Sequence, residues 1–477
     1  MSIIKFGTSG FRGILADNFT KENVQKVAYS VAKKYHQLTK KTQQRQPIPV
    51  GYDNRFMGQD IAKWFAEVLA YENIPVLFFE RPTPSTLVSF ETKNRVFGVH
   101  ITASHNPYFY NGIKTFMQGG RETPEELNNF FEKVANKAKK VGVIDFDEAV
   151  EQGRIELTND IEAYCKSILS FVDCESIRKS KLKVLFNSMH GSSSEVMRHI
   201  FKQVGLKTAE IMNEEIDPYF EHKVCAPYPH NLVGQTKIMK KGGYDLGLAV
   251  DGDGDRFTAL DNDGTPYDCN EISALFMDNF LKKGRKKRAV VKNCALSGLL
   301  EKVAKKGKAE VFNAKVGFKN TAMKMLEQNA ILGVESNGMC IKDHTLHKDG
   351  IVCSLIMIDI MSKEKQTIKA MIDQLKDRVG YPCAVLEFAY PISEKKKAEI
   401  NDQVFIRKEL PVLSAEIVAT SYDDGLKMFF KNDYWAVIRF SGNENVVRLF
   451  AEMPDKKQTE KIIKELEDFI DTHTRQK

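Results

Sequence analysis

Asp251, Asp253 and Asp255 alternate with Gly252 and Gly254 directly after the apolar run Leu246 to Val250. Three carboxylates this close repel one another, and a divalent hard cation held by oxygen ligands neutralises them at least cost. The intervening glycines let the backbone curl so that all three point inward. Arg256 and Asn262 stand where an EF-hand loop needs Gly and Glu, so that motif is excluded. Three aspartates leave an octahedral Mg²⁺ with open positions suited to a phosphate oxygen.

The second chemical segment is Ala103-Ser104-His105-Asn106-Pro107, after the run Val96 to Thr102. By itself it reads as a turn stabilised by Asn106 and Pro107, with His105 a hydrogen-bonded loop residue. In an extended segment adjacent side chains point apart, which argues against a Ser104–His105 dyad. A phosphate carrier needs a metal to gather charge, and beside an Asp triad able to hold one Ser104 becomes a candidate for that role. Two further loops suit anions. Phe6 to Gly13 (FGTSGFRG) offers hydroxyls, flexible N–H groups and the Arg12 guanidinium, and Arg439-Phe440-Ser441-Gly442-Asn443 repeats that mixture. No Walker A loop accompanies them: at the lone Gly-Lys pair, Gly307-Lys308, Lys302 and Ala309 occupy positions that need Gly and Ser or Thr.

These loops need a scaffold, and β-branched or aromatic runs alternating with amphipathic stretches supply one of α/β type. Strands are expected at 49–52, 76–79, 96–102, 182–186, 209–212, 246–250, 289–292, 310–312 and 331–333, and helices near 21–39, 59–71, 124–139 and 192–204. From about 383 the pattern turns sheet-rich, with strands at 435–440 and 446–452 and a closing helix. The expected architecture is four domains, 1–152, 153–260, 261–378 and 379–477. Three are similar mixed α/β sheet domains, the last is a smaller α+β domain, and all surround a central cleft. Polar loops beyond strand ends then place the serine in the first domain, the metal loop in the second, Val334 to Gly338 in the third and a phosphate loop in the fourth.

The 477 residues carry 70 Lys plus Arg against 63 Asp plus Glu, a net +7, which is mild for this length. The densest basic run, 282–288, has no aromatic residue for base stacking, so nucleic acid is not an expected partner. Eight cysteines without CxxC spacing fit reduced thiols, and no apolar run reaches the roughly 18 residues of a membrane span. A cytoplasmic monomer or homodimer is expected.

In this order, GTSGFRG, TASHNP, DGDGDR, the loop at 333–338 and RFSGNENVVR at 439–448 resemble the α-D-phosphohexomutases, the family of phosphoglucomutase, phosphomannomutase and phosphoglucosamine mutase. The resemblance covers the whole chain. It implies that Ser104 is carried as phosphoserine, with Mg²⁺ held by the serine phosphate, Asp251, Asp253 and Asp255. Hexose 1-phosphate and hexose 6-phosphate (glucose and/or mannose) interconvert through a hexose 1,6-bisphosphate, which also serves as activator. By similarity, His105 and Lys114 assist proton transfer, Arg12 and Arg256 line the cleft, Glu335 and Ser336 read sugar hydroxyls, and Arg439, Ser441, Gly442 and Asn443 grip the phosphate not being transferred. Two departures from the family pattern stand out. Val334 replaces the first Glu of Gly-Glu-x-Ser, and Asn443 and Asn445 replace Thr and Pro in Ser-Gly-Thr-Glu-Pro. They keep a phosphoglucosamine mutase, or a non-catalytic sugar-phosphate sensor, as alternatives.

Overall fold

The computed structural model describes residues 3–7, 9–40, 45–284, 289–440 and 446–472. The chain divides into two compact units, Met1–Asp268 with Asn337–Ile368, and Cys269–Ser336 with Lys369–Lys477.

The first unit contains two sheets. In the larger, the strands Phe6–Gly7, Gly10–Ile14, Tyr110–Met117, Phe97–Ile101, Ile48–Tyr52, Val76–Phe79 and Ile155–Thr158 lie side by side in that order, with Arg121–Glu122 also paired to Tyr110–Met117. Ile48–Tyr52 is parallel to both Val76–Phe79 and Phe97–Ile101, and is buried along its length because helices cover the sheet. The helix Lys21–Thr39 buries Val24, Val27 and Val31, and Gly58–Tyr71 buries Ile61, Phe65 and Leu69, both at helical spacing. Thr20 caps the first of these helices by accepting from the Asn23 N–H. Ile155–Thr158 pairs parallel with Val76–Phe79, so the first sheet runs past the expected boundary at 152; the helix Phe146–Glu151 returns the chain to that edge. The second sheet orders Ala209–Met212, Val184–Asn187, Leu246–Val250, Phe257–Leu260 and Pro266–Tyr267, so it too outruns its expected end at 260. Its first three strands are parallel and the last two antiparallel. Helix Gly350–Glu364, buried from Gly350 to Ser362, packs on Leu246–Val250 and Phe257–Leu260, which explains its apolar residues all round.

His100, fully buried on Phe97–Ile101, holds its Nε2 2.7 Å from the Thr83 carbonyl oxygen. Burial pulls its pKa down to about 4. The unfolded chain takes up this proton below its ordinary value near 6.5 and the folded protein only below about 4. Stability is therefore fully present above that window and falls as pH drops through it. His100→Gln is expected to flatten the acid slope of urea-unfolding free energy by about 3 kcal/mol between pH 7 and 4. An unchanged slope would show that other groups carry it.

In the second unit, Val290–Asn293 lies parallel to Val311–Ala314 and to Leu332–Glu335. Five antiparallel strands follow, in the order Ala384–Pro391, Val446–Met453, Trp435–Phe440, Leu426–Phe429 and Ala419–Ser421, with the helix Lys456–Thr472 against the first two. Glu452 is fully buried and accepts from the Ser297 hydroxyl, the Gly298 N–H (2.8 Å), the Tyr381 hydroxyl (3.0 Å) and Trp435 Nε1 (2.7 Å). Satisfied this way, a buried carboxylate ties the start of helix Gly298–Lys306 to the antiparallel sheet. All eight cysteines are free. Among the described residues no helix is long and apolar enough to cross a membrane.

Candidate active site

Val250 pairs with Phe257, so residues 251–256 form the tight loop of a hairpin between two buried strands. Gly254 takes φ +79 and donates its N–H to the Asp251 carbonyl oxygen, a turn that L side chains resist. The Arg256 N–H then donates to Asp251 Oδ1 at 3.0 Å. Each of the three aspartates presents a carboxylate oxygen, and these oxygens lie within 4.8 Å of one another in full burial. Asp253 Oδ1 has no hydrogen-bond donor, and Asp255 Oδ1 meets the Lys348 ammonium at 3.4 Å without forming a hydrogen bond. Buried oxygens left in this state suit a hard cation, and the donor set fits Mg²⁺.

Ser104 faces this loop, its hydroxyl donating to Asp251 Oδ2 at 2.9 Å. Ser104 has φ +51, and its Oγ is 3.3 Å from His105 Nδ1. The expectation that adjacent side chains point apart is thus corrected: the segment is not extended, and the left-handed backbone turns both side chains to one side. Burial lowers the His105 pKa well below the usual value, and the guanidiniums of Arg256 and Arg12 push it the same way. Arg256 Nη2 lies 3.2 Å from His105 Nε2, and Nη1 donates to the Tyr228 hydroxyl at 2.5 Å. Arg12 Nη1 donates to Asn106 Oδ1 at 2.5 Å.

Lys114, buried on Tyr110–Met117, donates to Asp253 Oδ2 (2.7 Å) and Asp255 Oδ2 (2.8 Å). Burial works against its charge, but the two carboxylates outweigh it and raise its pKa, so it is held as an ammonium. The same contact keeps Asp253 and Asp255 below the usual carboxylate range against their burial. Asp251, without that ammonium, is pushed up by burial and by its two neighbours.

Several residues here escaped the sequence reading. His347 Nε2 is 3.4 Å from Asp255 Oδ2 and Nδ1 3.6 Å from Glu122 Oε1, and Lys348 pairs with Asp255 Oδ1 at 3.4 Å. They precede Asp349, whose carboxylate caps helix Gly350–Glu364 through the N–H groups of Ile351 and Val352. A capping aspartate before an apolar run, with His and Lys just upstream, was the available signal. Asp53 and Arg55 were also missed, although they follow a buried strand as the other polar loops do.

Glu335, Ser336 and Arg439 belong to the second unit. Glu335 was expected in a loop but ends the strand Leu332–Glu335, because Val334 and its neighbours continue the ladder. Glu335 Oε1 accepts from the Gly317 N–H at 2.8 Å. Arg439 Nε donates to Asp424 Oδ1 at 2.9 Å, and Asp424 Oδ2 accepts from the Val316 N–H at 2.5 Å. Consecutive amides thus link Glu335 to the partner of Arg439. Ser441, Gly442 and Asn443 lie outside the described residues.

Four family models match the chain in order. They are phosphoglucomutase/phosphomannomutase alpha/beta/alpha domain I (4–141), domain II (162–264), domain III (268–379) and the C-terminal domain (391–469). A phosphoglucomutase/phosphomannomutase of Thermococcus kodakarensis is 28% identical over 452 residues, 94% of each chain. A phosphoglucosamine/phosphogalactosamine mutase of Sulfurisphaera tokodaii is 27% identical over 470 residues, 98% of this chain and 99% of the relative. Among solved structures, a putative phosphomannomutase from Thermus thermophilus superposes with a TM-score of 0.84 at 23% identity, covering 98% and 99% of the two chains, and shares the fold.

Proposed function

The chain belongs to the phosphoglucomutase/phosphomannomutase family, whose members are phosphomutases, isomerases that transfer a phosphoryl group within the substrate; from that premise we propose that it interconverts hexose 1-phosphate and hexose 6-phosphate through a phosphorylated Ser104. The observation that carries the reading is the Ser104 hydroxyl lying 2.9 Å from a carboxylate of the Asp251–Asp255 loop, in a chain with all four family domains.

Asp251, Asp253 and Asp255 would hold Mg²⁺, which when bound offsets charge on phosphoryl oxygens. The chain's own residues divide the remaining work. With its pKa far below neutrality, His105 is an uncharged imidazole. Arg256 donates to its Nε2, so Nδ1 carries the hydrogen and faces Ser104 Oγ as a donor. When the Ser104 hydroxyl attacks the bisphosphate, its proton can leave to Asp251 Oδ2, which accepts from that hydroxyl. Lys114, fixed as an ammonium, is a cation and proton donor near the transferred group, not a base. Arg12 and Arg256 supply guanidiniums for phosphate oxygens. In the second unit, Arg439, held by Asp424, would grip the phosphate not being transferred, and Glu335 and Ser336 would meet sugar hydroxyls. A bisphosphate formed by the first transfer returns its other phosphate to Ser104 after turning over, so no nucleotide is consumed.

Glucose and/or mannose phosphates are the proposed substrates. Glucosamine phosphate is the alternative, favoured by the likeness to the Sulfurisphaera enzyme. The test offers glucose, mannose and glucosamine 1-phosphates with Mg²⁺ and a trace of the matching 1,6-bisphosphate, and measures the 6-phosphate formed. Turnover of glucose or mannose phosphate supports the reading, and turnover of glucosamine phosphate alone moves it to the alternative. Binding of all three with no turnover would mark a sensor.

A further inference from the structure

Ser104 is a non-glycine residue at φ +51, a conformation that costs about 1 kcal/mol or more and persists only where surrounding groups impose it. The imposing groups can be traced. Its N–H donates to Thr102 Oγ1 at 2.7 Å, and that hydroxyl donates to Asp53 Oδ2 at 2.5 Å. Its carbonyl oxygen accepts from Arg55 Nη2 at 2.6 Å and from Cys225 Sγ at 3.2 Å. Arg55 reaches further along the same loop: Nη2 also donates to the Asn106 carbonyl (2.7 Å), and Nη1 to those of Pro107 and Tyr110 (3.0 Å each). The Arg55 side chain is wholly buried, paired with Asp53 at 3.4 Å, and lies over the Phe220 ring at 5.1 Å. A buried guanidinium that reads four loop carbonyls is a template for the loop's shape.

Cys225 adds a second tie. Its own carbonyl oxygen accepts from the Gly252 N–H at 3.2 Å, inside the Asp251–Asp255 loop, while its thiol holds the Ser104 carbonyl. One residue thereby fixes the serine loop to the carboxylate loop. Burial drives the thiol pKa up to about 12, so it remains a protonated donor.

We infer that Arg55 and Cys225 are positioning residues for phosphoryl transfer: from two separate segments they hold the same carbonyl oxygen, keep Ser104 left-handed and set the distance of its hydroxyl from the Asp251 carboxylate. Both act on the Ser104 carbonyl, whereas the described hydrogen bonds of Ser104 Oγ go to Asp251 and His105. The inference rests on the reading of Ser104 as phosphoryl carrier. Misaiming the hydroxyl by a fraction of an ångström slows transfer without weakening the capture of sugar phosphate.

The full-length variants Cys225→Ala, Cys225→Ser and Arg55→Lys are compared with wild type for kcat, KM, thermal midpoint and the rate at which hexose 1,6-bisphosphate phosphorylates Ser104, followed by intact mass. Cys225→Ala is expected to lose about tenfold in kcat and in phosphorylation rate at unchanged KM. Cys225→Ser, which restores a donor, is expected within about threefold of wild type. Arg55→Lys, whose single ammonium cannot span four carbonyls, is expected to lose at least about a hundredfold. If Arg55→Lys does not fold, the two Cys225 variants decide. Wild-type kcat in Cys225→Ala, a loss shared equally by Cys225→Ser, or a loss that follows only the folded fraction overturns the inference while a phosphorylated, active wild type leaves the parent reading standing. A wild type that takes no phosphate on Ser104 overturns both.

Discussion

Ser104→Ala is expected to lower mutase turnover at least about a thousandfold while leaving the thermal midpoint within a few degrees of wild type. The neighbouring hydroxyl does not replace the lost nucleophile: Thr102 Oγ1 is committed between Asp53 and the Ser104 N–H. The fold loses little, because alanine meets the same backbone constraint at φ +51 and the deleted atom contributes only the bond to Asp251 and the longer contact with His105 Nδ1. Asp251 keeps its bond from the Arg256 N–H. Turnover with bisphosphate supplied, together with intact mass, checks the outcome. Substantial residual mutase activity, or phosphate still bound covalently in the variant, would sink the phosphoserine mechanism. A hydroxylamine-labile phosphoenzyme would point instead to an aspartate nucleophile.

Removal of the divalent cation by chelation is expected to bring turnover to baseline, with recovery on adding Mg²⁺, and Asp253→Asn to cost at least about a hundredfold. Asp253 matters twice, because one oxygen has no donor and the other receives the Lys114 ammonium. Binding should raise the thermal midpoint progressively with cation concentration, a readout independent of catalysis. It should also weaken as pH falls. Asp251 is pushed above the usual carboxylate range, so it holds its proton to higher pH than a free aspartate, and that proton competes with the metal. Titration calorimetry at two pH values measures this. Equal affinity at both, or activity that survives exhaustive chelation, would count against the carboxylate loop as the cation site.

The readable parts of the site were local. Asp251, Asp253 and Asp255 declare themselves because three like charges crowd a short loop after a buried strand, and Ser104 because it shares that context. The geometry between them was not readable. The left-handed backbone at Ser104 is imposed by Asp53, Arg55 and Cys225, which approach it from elsewhere in the chain, so local pattern alone suggested an extended segment and separated side chains. Most strands and helices followed their apolar runs, as in Leu246–Val250 and Lys21–Thr39. Strand ends slipped where pairing continued past the apolar run, as at Glu335. His105 Nδ1 lies by the Ser104 hydroxyl and Arg12 and Arg256 bond Asn106 and His105 of the same loop, whereas Lys114 is brought to the carboxylates in a state unsuited to accepting a proton.

The helix Gly350–Glu364, packed on the two strands that carry the aspartate loop, also dictates an order of assembly on the ribosome. Those strands emerge early, but the helix that covers them, with His347 and Lys348 just ahead of it, follows only after residues 269–336 of the other unit have been made. Until then the nascent chain carries an uncovered apolar sheet face, the kind of surface that chaperones bind and that drives aggregation. A chain stopped at residue 336 would therefore lack both the cover of its aspartate loop and two of the residues that contact Asp255, and the last part of the first unit to be translated is a part that completes its candidate site.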